Sequence, residues 1–216
     1  MTFDLADHLA RTSRAVHAAE RDGKPGKAVV LSSLYDTDLD DLWEAVTTPE
    51  RLRRWFGAVS GDLQQGGRFQ IEGNASGTIL ECRPRQLIAV TWEFGDAVSW
   101  VTARLTAEPD GTRLHVEHQA PLDAHWEKYG PGAVGIGWDL WLTALARHLL
   151  APDYQLSPSE AEAWFFTDEA RTMIRTVSAG WAVADIAAGE AETHAHRTAE
   201  ATRRFYTGET GSGPVD

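Results

Sequence analysis

The fold is decided by the stretch Asp36-Thr-Asp-Leu-Asp-Asp-Leu-Trp-Glu-Ala-Val-Thr-Thr-Pro-Glu-Arg-Leu-Arg-Arg-Trp-Phe56. Asp38 is a typical N-cap residue, and the apolar residues after it recur at helical spacing, which predicts a first short helix. Thr48 and Pro49 form an N-cap and first-turn pair, which predicts a second short helix ending at Phe56. A strand precedes this helix pair, and six more strands and a long helix follow it.

The segments around this helix pair have the composition and alternation of β-strands. Tight turns separate them, for example at residues 64–67 and 109–112. Such turns imply antiparallel pairing, because parallel strands need long crossover connections. The sequence therefore predicts an α+β fold with a seven-stranded antiparallel sheet and a long helix over 131–150. The predicted strands are 28–35, 59–63, 68–72, 78–83, 87–94, 99–107 and 112–119.

Helical patterns flank this central region on both sides. Residues 4–20 place apolar side chains near one helix face, and the glycines at 23 and 26 end that pattern. After Pro152, capping signals predict three helices over 157–166, 167–188 and 190–206. The predicted organisation is thus a helical arm (1–26), a central domain (27–151), a helical annex (152–208) and a disordered tail (209–216). The annex carries so many large apolar side chains that it must pack on the rest of the chain or on a second copy.

Composition limits the partners and the location of the protein. The formal net charge of −12 argues against nucleic acid and anionic membranes, which bind clustered Lys and Arg. Cys82 is the only cysteine, so no internal disulfide can form and a reducing cytosol is favoured. The first residues lack the apolar core of a signal peptide, and no run approaches the ~20 apolar residues of a membrane helix. A cytoplasmic protein with neither nucleic-acid nor membrane partners is therefore predicted.

A known family shares many residues of the region 27–151. The shared residues are Tyr35-Asp36, Leu42-Trp43, Val46-Thr47-Thr48-Pro49-Glu50-Arg51-Leu52, Trp55-Phe56, Gly66-Gly67, Gly77, Glu81, Trp92, Leu114, Glu117-His118 and Gly137-Trp138. In these residues the sequence resembles the START-like SRPBCC superfamily, in the branch of activator of heat-shock protein 90 ATPase homologues, which is polyketide cyclase-like. The resemblance implies the helix-grip fold of START proteins and birch-pollen allergens: a curved sheet around a long C-terminal helix, with an apolar cavity between them. It implies no shared catalytic residues.

Alternation along the strands predicts which side chains line this interior. Trp92 and Phe94 share a strand face with Ile88 and Val90, and the grip helix brings further aromatic residues. These side chains either form the wall of a ligand pocket or simply pack the core. The predicted lining residues are Trp55, Phe56, Phe69, Leu80, Trp92, Phe94, Val116, His118, Val134, Trp138 and Trp141.

Polar candidates in the same region have plain structural interpretations. His118 faces inward and is predicted to be a satisfied core histidine rather than a proton donor. Arg51, Arg53 and Arg54 either clamp an anionic head group at the cavity mouth or form a solvated helix face, which the acidic composition favours. Cys82 is interpreted as a buried inert thiol. No zinc, calcium or phosphate-loop pattern is found, so no metal and no cofactor are predicted.

The run Gly130-Pro-Gly-Ala-Val-Gly135 matches the dinucleotide-binding pattern of glycines. That motif must follow a parallel strand, whereas here it opens the last helix of an antiparallel fold. We therefore interpret these glycines as allowing the helix to approach the sheet closely or to act as a flexible gate.

Three functions fit these observations. The first is a binding protein that holds a small lipophilic molecule, and the second is a protein-interaction module of the chaperone-activator kind. In either case a homodimer is one alternative for the oligomeric state. The third is a polyketide cyclase or aromatase, in which His118, with Arg104 or Tyr129, would transfer protons. A cluster of polar groups converging in the cavity would favour the enzyme.

Overall fold

The structure, a computed structural model, describes residues 3–21, 23–153 and 157–209. The helices are α1 (Leu5–Arg11), α2 (Leu39–Thr47), α3 (Pro49–Leu52), α4 (Ala124–Tyr129), α5 (Gly132–Leu150), α6 (Pro158–Trp164), α7 (Asp168–Ala187) and α8 (Glu192–Tyr206). The strands are β1 (Ser13–Arg21), β2 (Lys24–Tyr35), β3 (Val59–Gly61), β4 (Arg68–Ile71), β5 (Ser76–Arg83), β6 (Leu87–Phe94), β7 (Ala97–Glu108) and β8 (Gly111–Pro121). The predicted α+β helix-grip class is confirmed. Apart from Glu209, the predicted disordered tail lies outside the described residues.

The sheet has eight strands in the order β1-β2-β8-β7-β6-β5-β4-β3 and does not close. The prediction of seven strands is wrong because residues 13–20, predicted as part of the N-terminal helix, belong to the additional strand β1. Helix α1 ends at Thr12, whose hydroxyl lies 2.7 Å from that of Ser33 on β2. Beyond this anchor the chain pairs with β2 through a turn at Gly23, where φ is +73°. Pairing with a neighbouring strand overrides the helical preference of this alanine-rich segment.

The chain divides into two compact units. The first contains residues 1–13, 30–120 and 141–155, and therefore most of the sheet and the last half of α5. Its core includes the fully buried Leu31, Leu42 and Leu145. The Tyr35 hydroxyl donates a hydrogen bond to the carbonyl of Leu142 at 3.2 Å, which ties β2 to α5. In the first unit the sheet thus packs against the last half of α5.

The second unit contains residues 14–29, 121–140 and 156–216. Its core lies on α7, where Met173, Ile174, Val177 and Trp181 are buried. The annex helices thus share a compact unit with residues that precede Pro152 in the chain. Residues 124–129, which lie between the last predicted strand and the predicted long helix, form the short helix α4. Asp123 caps it by accepting a hydrogen bond from the Trp126 amide at 2.8 Å.

The glycines that open α5 serve close packing against α7 and α8. A Cβ atom at Gly130 would lie 2.7 Å from Thr198 of α8, and one at Gly132 would lie 3.0 Å from Thr202. At Gly135 it would lie 2.2 Å from the ring of Trp181. Close approach was predicted correctly, but the partners are the annex helices, so the prediction of a contact with the sheet is wrong.

A buried ion pair lies at the centre of the second unit. Asp139 on α5 is 1% exposed and accepts hydrogen bonds from Arg14 Nε at 3.1 and 3.2 Å. It also accepts one from Trp181 Nε1 at 2.8 Å. Burial raises the pKa of Asp139, and the Arg14 charge and these hydrogen bonds oppose that rise. One carboxylate thus joins β1, α5 and α7.

None of the helices in the described residues has the length and apolarity that crossing a membrane requires.

Candidate functional site

The candidate site lies in the first unit, where β6 faces the last half of α5. Trp92 on β6 pairs with Ser99 on β7, and Val90 pairs with Val101. Residues paired in this way share a face of the sheet, so these four side chains lie on the inner face. Two other segments bring aromatic residues to this face. The turn after α3 supplies Trp55 and Phe56, and α5 supplies Trp141.

We call Trp55, Phe56, Phe69, Trp92 and Trp141 the aromatic cluster. The ring centroids of Phe56 and Trp141 are 4.6 Å apart, and those of Trp92 and Trp141 are 5.8 Å apart. Phe56 and Phe69 each lie 6.4 Å from Trp92. Trp55 is 5.2 Å from Phe56, and its Nε1 donates a hydrogen bond to the carbonyl of Ala45 at 3.0 Å. These distances are those of interacting aromatic pairs.

The exposure of the aromatic cluster distinguishes it from ordinary core. Phe69 is buried, at 8% exposure, and packs with Ile71 and Ile79. The other four rings are only half-buried. A set of mutually packed rings that keeps part of its surface accessible is a suitable wall for an apolar or flat ligand.

A polar pair borders the aromatic cluster. His118 on β8 is 5% exposed, its ring lies 6.0 Å from that of Trp92, and its Nε2 is 2.8 Å from the Ser99 hydroxyl. Burial lowers the pKa of His118 to about 3, so the imidazole is neutral at physiological pH. The Ser99 hydroxyl donates to the carbonyl of Trp92 at 3.2 Å, so Nε2 of His118 donates to Ser99 Oγ, which can still accept a hydrogen bond from an uncharged ligand group.

Sequence reasoning placed His118 inward correctly but missed Ser99. The signal for Ser99 was available, because it is a small polar residue directly opposite Trp92 in the hairpin of β6 and β7. A polar residue on an otherwise apolar inner face calls for a partner.

Two predicted lining residues lie at the surface instead. Leu80 is 40% exposed, because the register of β5 shifts between Ile79 and Glu81 and the 8% exposed Ile79 turns inward in its place. Phe94 is 49% exposed, because β6 ends there at the turn through Gly95. For these two residues the prediction of an inward side chain is wrong.

The remaining predicted residues are distributed over both units. Val116 is buried in the first unit, at 2% exposure. Trp138, at 7% exposure, and the half-buried Val134 belong to the second unit. Cys82, predicted to be buried, is half-buried and packs against the group of Phe69, Ile71 and Ile79.

The residues named for proton transfer have different surroundings. Arg104 is exposed on β7, whereas His118 is buried on the inner face. Tyr129 belongs to the second unit, where its ring lies 5.4 Å from that of Phe205. Within the described residues, no group of three or more His, Cys, Asp or Glu could hold a metal ion.

Comparisons with known proteins agree with the fold. Residues 36–149 match the model of the family described as Activator of Hsp90 ATPase homolog 1-like protein. The solution structure of CalU16 from Micromonospora echinospora is 30% identical, with a TM-score of 0.66, over 82% of this chain and 96% of that one. Its crystal structure gives 33% identity and a TM-score of 0.59 over 70% and 89%.

A more distant structure shares the fold alone. DynU16, from the dynemicin biosynthetic locus, is 23% identical, with a TM-score of 0.53, over 58% of this chain and 48% of that one. No curated protein matches the sequence. The family match spans more than half of the 216 residues. The chain therefore belongs to the family of Activator of Hsp90 ATPase homolog 1-like proteins.

Proposed function

We propose that the protein binds a small lipophilic ligand on the aromatic cluster. The observation that carries this proposal is the convergence of four half-buried rings, each of which lies 4.6–6.4 Å from at least one of the others. Rings that served only as core would be covered more completely by neighbouring side chains. Membership of the family of Activator of Hsp90 ATPase homolog 1-like proteins, with its START-like fold, supports a small-molecule role.

The polar pair of Ser99 and His118 gives the ligand a preferred orientation. Because His118 is neutral and Ser99 Oγ can still accept a hydrogen bond, the pair favours a ligand hydroxyl group over a charged group at this position. An apolar body with one uncharged polar group therefore describes the ligand.

The proposal is tested with dodecanol, a lipophilic alcohol, and 1-naphthol, a flat one. Binding is followed through the indole N–H signals of ¹⁵N-labelled protein. We expect the Trp92 and Trp141 signals to shift on saturation. Each aromatic contact contributes about 0.5–1.5 kcal/mol, so Trp141→Leu should weaken binding about twofold to tenfold.

Trp100→Leu is the matched control. Trp100 is half-buried on β7, next to Ser99 in sequence, so its side chain points to the opposite face of the sheet. The Trp100→Leu substitution should therefore leave the affinity for either probe unchanged. Equal losses in the two variants, or no shift of the Trp92 and Trp141 signals with either probe, would contradict the proposal.

A cyclase-like activity is the alternative that one contact favours. It would rest on His118 and Ser99, since Arg104 lies on the surface. A chaperone-type partner, a second copy of the chain and a cytoplasmic location stay predictions of the sequence.

A further inference from the structure

A second polar site lies in the first unit, where α3 passes the end of α5. Arg51 Nε donates a hydrogen bond to Nε2 of His148 at 2.8 Å, across 97 residues of sequence. Arg51 Nη1 donates to Asp41 Oδ1 at 2.8 Å, and the Thr37 hydroxyl donates to the other carboxylate oxygen at 2.6 Å. His148 is 3% exposed, and the Arg51 side chain is 18% exposed. Arg51 is therefore not part of a solvated helix face.

Two hydrogen-bond donors at this site are unused. Because Nε2 of His148 accepts from Arg51, a neutral imidazole must carry its proton on Nδ1. Nδ1 of His148 and Nη2 of Arg51 are both buried, and neither has a hydrogen-bond partner among the described residues. Native proteins rarely leave buried donors unsatisfied, because the lost hydration is not replaced. Both unused groups are donors, so both call for an acceptor.

The surrounding charges indicate what kind of acceptor fits. Burial lowers the pKa of His148, the guanidinium groups of Arg51 and Arg54 lower it further, and Asp41 opposes them. Two positive charges thus act on this histidine against one negative charge, in a chain with a net charge of −12. A local excess of positive charge beside two buried, unused N–H donors favours an oxyanion.

We propose that Arg51 and His148 form a subsite for an oxyanion, a carboxylate or phosphate group, which accepts hydrogen bonds from Nη2 and Nδ1. The oxyanion has two possible sources. It is either the acidic head group of a lipophilic ligand, in which case it rests on the proposed function, or a free anion. The subsite and the aromatic cluster draw on the same two segments of the chain. Arg51 lies on α3, which Phe56 follows, and His148 lies on α5 with Trp141, the ring that Phe56 contacts.

The experiment observes the imidazole nitrogens of the full-length protein by long-range ¹H–¹⁵N NMR, and His148→Gln identifies the His148 signals. Inorganic phosphate and acetate test a free anion. Dodecanoate and dodecanol, used below the concentrations at which they aggregate, share one chain length and differ in the acidic head group. We expect at least one of the three anions to shift the Nδ1 signal of His148 and dodecanol to leave it unchanged. A shift with dodecanoate alone identifies a head group, and a shift with phosphate or acetate identifies a free anion.

Two variants separate anion binding from a structural role. Arg51→Lys keeps the charge but loses the second donor, so it should weaken anion binding about tenfold, the loss of one charge-assisted hydrogen bond. Arg53→Lys makes the same change at an exposed position of the next turn and should bind as the original protein does. In His148→Gln the amide oxygen can still accept from Arg51 while the Nδ1 donor is gone, so the fold should persist and anion affinity should fall.

Several results would overturn the subsite. If no anion shifts the His148 signal, the two donors are satisfied by a buried water only. Equal shifts with dodecanoate and dodecanol would show that the site does not recognise charge, and unchanged affinity in Arg51→Lys would show that Nη2 takes no part. Failure of dodecanol to shift Trp92 and Trp141 would count against the aromatic cluster and not against this subsite.

Discussion

Substitution of Gly135 by alanine is the sharpest test of the packing in the second unit. In most helix interiors this change stabilises a protein by about 1 kcal/mol, because alanine has the higher helix propensity. At Gly135 the new Cβ would lie 2.2, 2.4 and 2.6 Å from three atoms of the Trp181 indole. Trp181 is 1% exposed, so the ring cannot move into solvent to relieve the overlap.

The expected loss follows from the contacts of Trp181. Overpacking of a core costs about 1–3 kcal/mol. Displacing the ring also breaks the 2.8 Å hydrogen bond to the Asp139 carboxylate, a bond of the charged type that contributes about 1.5–3 kcal/mol. After the gain in helix propensity, we expect a net loss of about 1.5–5 kcal/mol in the free energy of unfolding. For a chain of this size, this loss lowers the melting temperature by about 3–20 °C.

Gly137→Ala on the same helix is the matched control. A Cβ atom there would meet only the Tyr206 hydroxyl, at 3.7 Å, which is ordinary contact. It should therefore raise the melting temperature by about 2–4 °C. Thermal unfolding followed by far-UV circular dichroism measures both variants without relying on tryptophan emission. If Gly135→Ala melts at or above the temperature of the original protein, the described contact between α5 and α7 is incorrect.

Three further predictions concern charge and the annex. His118 has a pKa of about 3 when folded and about 6.5 when unfolded, so stability should fall as the pH drops below about 6.5, by up to about 2 kcal/mol at pH 5. Urea unfolding should show that part of this pH dependence is missing in His118→Gln, and an unchanged pH profile would mean that His118 is not buried. Asp139→Asn removes the buried carboxylate charge that pairs with Arg14 and should cost about 3 kcal/mol, whereas Asp168→Asn in the exposed pair with Arg171 should leave the unfolding midpoint unchanged. Similar losses in the two variants would contradict the burial of Asp139. Truncation after Ala151 removes the residues that cover Gly130, Gly132 and Gly135, and should give an aggregating or strongly destabilised protein by light scattering; a soluble monomer that melts within a few degrees of the full chain would show the annex to be dispensable.

The parts of the fold that depend on local pattern could be predicted from the sequence. Asp38 and Thr167 cap their helices through side-chain hydrogen bonds, and Ser157 with Glu160 forms the expected capping box. Alternation along β6 placed Trp92 on the inner face. These features follow from contacts within a few residues, which the sequence records directly.

The parts that depend on distant contacts could not be predicted. Residues 13–21 have helical spacing but form a strand, because β2 offers them a pairing edge. The register shift between Ile79 and Glu81 turns Ile79 inward in place of Leu80, and no feature of the neighbouring sequence indicates this shift. The hydrogen bond between Arg51 and His148 joins residues too far apart in sequence for any motif to reveal.

The central claim is that a lipophilic ligand lies against the aromatic cluster. Nuclear Overhauser effects between bound 1-naphthol and the protein measure this contact directly. We predict cross-peaks from the ligand to the ring protons of Phe56, Trp92 and Trp141. Cross-peaks confined to the surface rings of Phe94 and Phe166, which are 49% and 77% exposed, would contradict the claim, as would their complete absence at saturating ligand.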